Sequence, residues 1–295
     1  MTTTIPAAAH LLPNGVAARA DGSCVVSGAA LEWFKALDTA ILELAGRWSP
    51  VEYQFPPVVP ARDLERIDYF HSFPHLLTVP ASLPRDASAQ RRFAANSTLD
   101  ADGALPIREL APIQHALTPA ACYPIYPTFD SERLTGARFV TVRATCFRKE
   151  EYFVPLRRQW TFSMREVVCI GSSNEVTTFL DAARGVVDTL MRRLGLTHDW
   201  MTATDPFFEP SRSGPAMLQR LSPVKVEAVV DELAISSVNL HHQHFGDAFG
   251  IGRGDEPAHS GCLAFGLDRW LGVVADRWGS DPAAWPNPRG GVLHE

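Results

Sequence analysis

The chain has 295 residues, 46% hydrophobic and 20% charged, with a formal net charge of −6. That composition fits a globular chain with one large core or two modest ones. It excludes a membrane span, since no run approaches about eighteen apolar residues, and the acidic balance argues against a chain whose main work is gripping a nucleic acid backbone.

Residues 1–28 show no sustained periodicity and form a lead-in without a signal-peptide pattern, so the expected compartment is the cytoplasm. From Ala29 to Gly46, Leu31, Phe34, Leu37, Ile41, Leu44 and Ala45 recur at helical spacing, with Gly46 as the C-terminal cap. A strand, Val51 to Phe55, ends at Pro56 and Pro57. Residues 60–115 mix short helical pieces with proline turns, and 86–102 are polar and exposed. His71 and His75 sit near aromatic residues and read as packed or solvent-facing rather than as ligands.

Residues 137–150 and 158–168 read as two strands joined by a loop carrying Pro155, an antiparallel hairpin. Alternation puts Arg158, Trp160, Phe162, Met164, Glu166 and Val168 on one face. A buried carboxylate such as Glu166 needs a counter-charge, several donors or a metal. An internal Arg–Glu pair holding the hairpin answers that need as well as a functional site does. Arg148 and Glu150 share a face where the hairpin turns.

Ser172 to Glu175 reads as a capping box opening a helix whose apolar face runs from Val176 to Leu194 and stops at Gly195. Residues 198–223 read as strand, insertion and short helix; Val224–Val230 and Leu233–Leu240 read as two more strands. A small-residue strand then meets Gly266 and a helix with apolar Leu267, Trp270, Leu271 and Val274. The tail from Asp281 has three prolines and two glycines and is expected to be extended. The five cysteines, at 24, 122, 146, 169 and 262, read as thiols or metal ligands, with no Cys-x-x-Cys pair.

The stretch Cys-Phe-Arg148-Lys-Glu150, a loop, then Arg158-x-x-x-Phe162-x-x-x-Glu166 resembles motif 2 of class II aminoacyl-tRNA synthetases, in its seryl form. The helix, strand and proline at 29–57 match the layout of motif 1, the dimer element. Gly266-Leu-Asp-Arg269 resembles motif 3, where glycine admits the nucleotide and a guanidinium plane stacks on its base. Leu117-Thr-Pro-Ala-Ala-Cys122 corresponds to a seryl stretch whose glutamate receives the substrate amine; here Cys122 takes that place. Ser236-Ser-Val-Asn239 resembles the stretch that holds ATP-bound magnesium. Ala234 stands where the magnesium glutamate belongs, so Glu232 or Glu227 has to substitute, and the ATP-side set takes Glu232 with Ser236.

The resemblance covers residues 29–278 as one catalytic domain, between the lead-in 1–28 and the tail 279–295. With 28 residues before the motif 1 helix there is no room for a tRNA-gripping arm, so the chain is similar to the amino acid:carrier protein ligases, truncated homologues of zinc-dependent seryl-tRNA synthetases. This implies an α+β fold, a mainly antiparallel sheet flanked by helices. It implies one Zn2+ on Cys122, Glu166 and Cys262, with an open position for the substrate's α-amine. It further implies Mg2+ with ATP, and a small amino acid, glycine or alanine, activated as its adenylate. Arg148 and Arg158 face the phosphates, Phe162 and Arg269 sandwich adenine, Glu150 lies on the nucleotide, and Glu166 and Asn239 meet the substrate. The acceptor is the phosphopantetheine thiol of an acidic carrier protein, docking on a basic patch around Arg212, Arg220 and Lys225 with Arg192 and Arg193. The expected assembly is a homodimer through motif 1. The competing readings are a compact seryl-like tRNA ligase and a catalytically silent, zinc-stabilised binding module.

Overall fold

The computed structural model describes residues 12–290, so the outer parts of the lead-in and the tail lie outside the described residues. A seven-stranded sheet forms its centre. The strands are β1 (Val51–Tyr53), β2 (Arg138–Phe147), β3 (Thr161–Gly171), β4 (Asp199–Ala203), β5 (Lys225–Val230), β6 (Leu233–His242) and β7 (His259–Gly266). They lie in the order β1-β2-β3-β7-β6-β5-β4. Neighbours are antiparallel throughout, except that β1 runs parallel to β2. The architecture is α+β, a mainly antiparallel sheet flanked by helices.

Helices α1 (Gly28–Ala45), α2 (Ser173–Arg193) and α4 (Leu267–Trp278) cover one face of the sheet. There Leu37, Ile41, Phe179, Leu190 and Trp270 bury against Val167, Cys169, Leu263 and Phe265. The capping box at α2 is formed in full: Ser172 Oγ accepts from Glu175 N at 3.3 Å, and the Glu175 carboxylate accepts from Ser172 N at 2.7 Å. A short helix, α3 (Gly214–Leu221), sits in the insertion between β4 and β5.

The end of α1 differs from the expected cap. Gly46 keeps a right-handed conformation (φ −54°), and the chain continues as a 3-10 turn to Trp48. Ser49 takes the left-handed position instead, at φ 48°. The tail also differs from an extended strap. Trp285 is buried, meets Trp33 edge to face at 5.3 Å, and the Trp33 indole donates to Pro286 O at 2.9 Å. Residues 281–286 therefore close the α1 side of the core. Trp285→Ala is expected to cost about 3–5 kcal/mol of stability, read as a lower urea midpoint with an unchanged slope; an unchanged midpoint would mean that the tail is not part of the core.

The opposite face of the sheet carries the site, and pairing register fixes which side chains share it. Lys225 pairs with Asn239, Asn239 with Cys262, and Cys262 with Val168. In the adjacent row Glu227 pairs with Ser237, Ser237 with Ala264, and Ala264 with Glu166. Directly paired residues point the same way, so Lys225, Glu227, Ser237, Asn239, Cys262 and Glu166 stand together. Ala264 and Gly266 leave the middle of this floor free of bulk.

Candidate active site

The floor opens into a cleft of about 830 Å³, walled by residues 67–76 and 119–123, the β2–β3 loop and the insertion carrying α3. At its base, Cys122, Glu166 and Cys262 place one ligand atom each within 4.8 Å of one another. All three residues are buried. Glu166 accepts from Ala121 N at 3.2 Å through Oε1, while Oε2 is buried without a hydrogen-bond partner. Cys122 comes from a loop, and the other two from β3 and β7, which pair side by side.

Burial disfavours the ionised form of all three groups. The Cys122 thiol is pushed well up by its hydrogen bond with Cys262, by burial and by the Glu166 carboxylate. Burial raises Glu166, against the pull of the two thiols. For Cys262 the bond with Cys122 pulls down, but burial and Glu166 outweigh it. A divalent cation would supply the missing counter-charge and occupy the orphaned Oε2. Two sulfur donors and one oxygen, leaving a fourth position, match a catalytic zinc site better than a magnesium or calcium site.

The arginines line the same cleft. Arg148 donates from Nε to Pro119 O at 2.9 Å and lies 5.2 Å over the Phe162 ring. Arg158 precedes β3 rather than belonging to it, pairs with Glu150 at 2.7 Å and covers Tyr152 at 4.6 Å. Arg269, in the first turn of α4, donates to Arg157 O at 2.8 Å and to Ala234 O at 2.7 Å. Burial and then the charge of Arg148 hold its pKa below the usual arginine value.

Of two residues expected on the ATP side, Glu232 lies outside the cleft lining and Ser236 borders it. Glu232 sits exposed in the β5–β6 turn at φ 66°, and it does not line the cleft. Of the two glutamates weighed for magnesium, Glu227 is the one on the floor. Ser236 borders the cleft, but its hydroxyl turns to the helix layer and accepts from Trp270 Nε1 at 3.0 Å. Ser237 faces the floor, where its hydroxyl accepts from Asn239 Nδ2 at 3.0 Å. Lys225, expected on a basic docking patch, is only 16% exposed and is held within the cleft by Asp205 at 3.1 Å and Glu227 at 3.2 Å.

Three supports escaped the sequence reading. Asp268, buried on α4, accepts from Ser163 N at 2.6 Å and from Gln159 Nε2 at 3.4 Å, tying the start of β3 to the helix that carries Arg269. Burial raises its carboxyl pKa. Behind the sheet, Arg165 donates to both oxygens of Asp38 at 2.7 and 2.8 Å and to Glu52 at 2.7 Å, binding α1 and β1 to β3. His241, next to Cys262, was passed over because three histidines in four residues (241, 242 and 244) carry no recognisable spacing.

No protein-family profile matches the chain. Amino acid–[acyl-carrier-protein] ligase 1 of Bradyrhizobium diazoefficiens is 37% identical over 243 residues, 79% of this chain and 73% of that protein. Ligase 2 of the same organism is 38% identical over 242 residues, 79% of this chain and 71% of that protein. The chain belongs to the amino acid–[acyl-carrier-protein] ligase family. It is therefore a ligase, and its fold is that of class II aminoacyl-tRNA synthetases. A type-2 serine–tRNA ligase of Methanococcus aeolicus is 25% identical over 254 residues, 80% of this chain but 48% of that protein. The M. kandleri seryl-tRNA synthetase, solved with A. aeolicus tRNASec, superposes with a TM-score of 0.80 at 19% identity, over 95% of this chain and 60% of its own. Giardia lamblia prolyl-tRNA synthetase with prolyl-adenylate follows at 0.66 and 15% identity, over 88% and 48%. These last likenesses speak for the fold, and this ligase spans only about half to three fifths of those synthetases.

Proposed function

We propose that this ligase activates glycine or alanine with ATP as the aminoacyl-adenylate and passes the aminoacyl group to the phosphopantetheine thiol of an acidic carrier protein. The observation that carries the reading is the convergence of Cys122, Glu166 and Cys262 at the base of a cleft that Arg148, Arg158 and Arg269 also line. Their family's name supplies the acceptor.

In the first step the substrate carboxylate attacks the α-phosphorus of ATP, and pyrophosphate leaves. Arg148 stands over the floor to neutralise the α-phosphate. Arg158, held by Glu150, faces the γ-phosphate. Phe162 and Arg269 bracket adenine. Glu227, beside Ser237, is the carboxylate placed to hold ATP-bound Mg2+, in the role first assigned to Glu232. This is positioning and electrostatic stabilisation, as phosphoryl and nucleotidyl transfer require. Cys122, Glu166 and Cys262 would hold Zn2+, which would supply a Lewis acid for the substrate's free-base α-amine. Asn239 stands beside Cys262 where the substrate amine would lie, and a substrate held by its amine leaves little to grip a long side chain, which favours a small one. One methyl separates glycine from alanine by only ~1–3 kcal/mol. Dimerisation through α1 and β1 belongs to the same proposal.

The docking surface is proposed on α3. Met217, Leu218 and Leu221 are exposed there (54%, 67% and 82%), flanked by exposed Arg220 and by exposed Arg212, which pairs locally with Glu209 at 3.2 Å. Arg192 and Arg193 are engaged elsewhere, with Thr189 and Pro288 O. Incubation with ATP, labelled glycine or alanine, and either total tRNA or a phosphopantetheinylated carrier tests the function. The carrier should become labelled; labelled tRNA with an unlabelled carrier would favour the tRNA-ligase reading instead. Arg212→Glu with Arg220→Glu should slow transfer roughly tenfold at low salt and flatten its salt dependence, leaving pyrophosphate exchange unchanged. Transfer at the parent rate would remove the docking assignment.

A further inference from the structure

Beside the three ligand residues runs a polar chain, half-buried at Asn239 and His241 and fully buried at Tyr126 and Ser260, of which only Asn239 has a place in the steps above. Asn239 Nδ2 donates to Cys262 Sγ at 3.2 Å. His241 Nε2 lies 3.7 Å from the same sulfur. Its other ring nitrogen, Nδ1, is 3.1 Å from the Tyr126 hydroxyl and 3.2 Å from Ser260 Oγ. Tyr126 and Ser260 are 0% and 1% exposed, and Tyr126 stacks flat on Phe245 at 3.7 Å. Asn239 is fixed in turn by Ser237.

The arrangement selects one tautomer. Both hydroxyls can donate to Nδ1, whereas a sulfur anion at Nε2 can only accept. Nδ1 is therefore the acceptor, and Nε2 carries the hydrogen aimed at Cys262. Two N–H groups from β6 thus converge on one sulfur.

Two thiolates and a carboxylate carry one more negative charge than a divalent cation cancels. In a buried site that surplus is costly unless nearby dipoles spread it. N–H bonds to an anionic acceptor are the strong, charge-assisted kind.

We infer that His241 and Asn239 are positioning residues of the metal site, offsetting its surplus charge at Cys262 and setting that sulfur's direction, with Tyr126 and Ser260 fixing the His241 tautomer. The inference rests on the zinc reading above. It makes the two thiolates unequal: Cys262 is the hydrogen-bonded, less electron-rich sulfur, and Cys122 the stronger donor.

Chelator competition on the purified protein, together with the thiolate-to-cobalt charge-transfer band of the Co2+-substituted protein, tests this without reference to turnover. His241→Leu and Asn239→Leu should each weaken Zn2+ binding by about 10–100-fold. Each should also move the charge-transfer band to longer wavelength, because a thiolate without its hydrogen bond gives up its electrons more easily. His241→Gln, which keeps an N–H donor, should recover most of both, and Tyr126→Phe should show a smaller shift of the same sign. Melting curves of the metal-free proteins separate loss of metal binding from loss of fold, and Asn239→Leu, at a partly exposed position, gives an independent arm. Parent affinity and an unmoved band in both leucine variants would overturn the inference while leaving the zinc site standing. A parent protein that binds no zinc would overturn the zinc reading itself, and the inference with it.

Discussion

Cys122→Ala is expected to lose its zinc and, with it, amino acid-dependent ATP–pyrophosphate exchange. Loss of an outer-shell partner alone costs about 10–100-fold in metal affinity, so removing a ligand should cost more than about 100-fold. The structure adds a reason for the size of the effect. Without Cys122, the Glu166 oxygen that already lacks a hydrogen-bond partner stays buried beside a single thiol. That environment favours a protonated carboxyl over a metal ligand, since burial already raises Glu166. Cys24→Ser should behave as the parent, because Cys24 lies in the lead-in, away from the cleft lining. Metal content by mass spectrometry and exchange driven by glycine and alanine are measured on the same samples. A Cys122→Ala protein with full metal content and full exchange would show that the three residues are not the metal site.

The sequence made some of this legible and hid the rest for physical reasons. Hairpin β2–β3, the capping box at Ser172 and Glu175, and the turn at Gly266 into α4 are local signals, and each appears in place. Cys122, Glu166 and Cys262 are separated by 44 and 96 residues. Only the resemblance joined them on paper, and only strand register brings them together in space. Ser236 and Glu232 rest on the resemblance alone. A register shift between Ala228 and Val229 offsets the pairing near the β5–β6 turn, so a motif match does not say which serine's hydroxyl faces the floor. Arg165 was overlooked because it points away from the face on which Glu166 was followed, yet it ties three elements together through Asp38 and Glu52. The tail looked extended from its prolines and glycines, and no pattern in fifteen residues announces that Trp285 is buried against Trp33.

Arg269 carries the other large expected effect. Its guanidinium is held edge-on by two carbonyls, Arg157 O and Ala234 O, which fixes the plane of the group before any nucleotide arrives. The plane matters because a base stacks on a flat cation, whereas an ammonium offers only a point charge. Burial and then the like charge of Arg148 lower the pKa of Arg269, against the pull of Glu227. Arg148, Arg158 and Arg269 thus present three cations to a polyphosphate in a cleft that Glu150 and Glu227 also line. Removing one preorganised cation of this kind should lower kcat/KM for ATP about 100–1,000-fold, so Arg269→Ala should fall in that range. Arg269→Lys should stay close to it, because the charge returns without the plane or the fork that grips both carbonyls. Both variants should keep their zinc, since Arg269 does not touch the ligand residues, and both should lose the rise in Tm that ATP gives the parent. Near-parent kcat/KM in Arg269→Lys would show that charge alone suffices and that Arg269 does not act as the adenine platform.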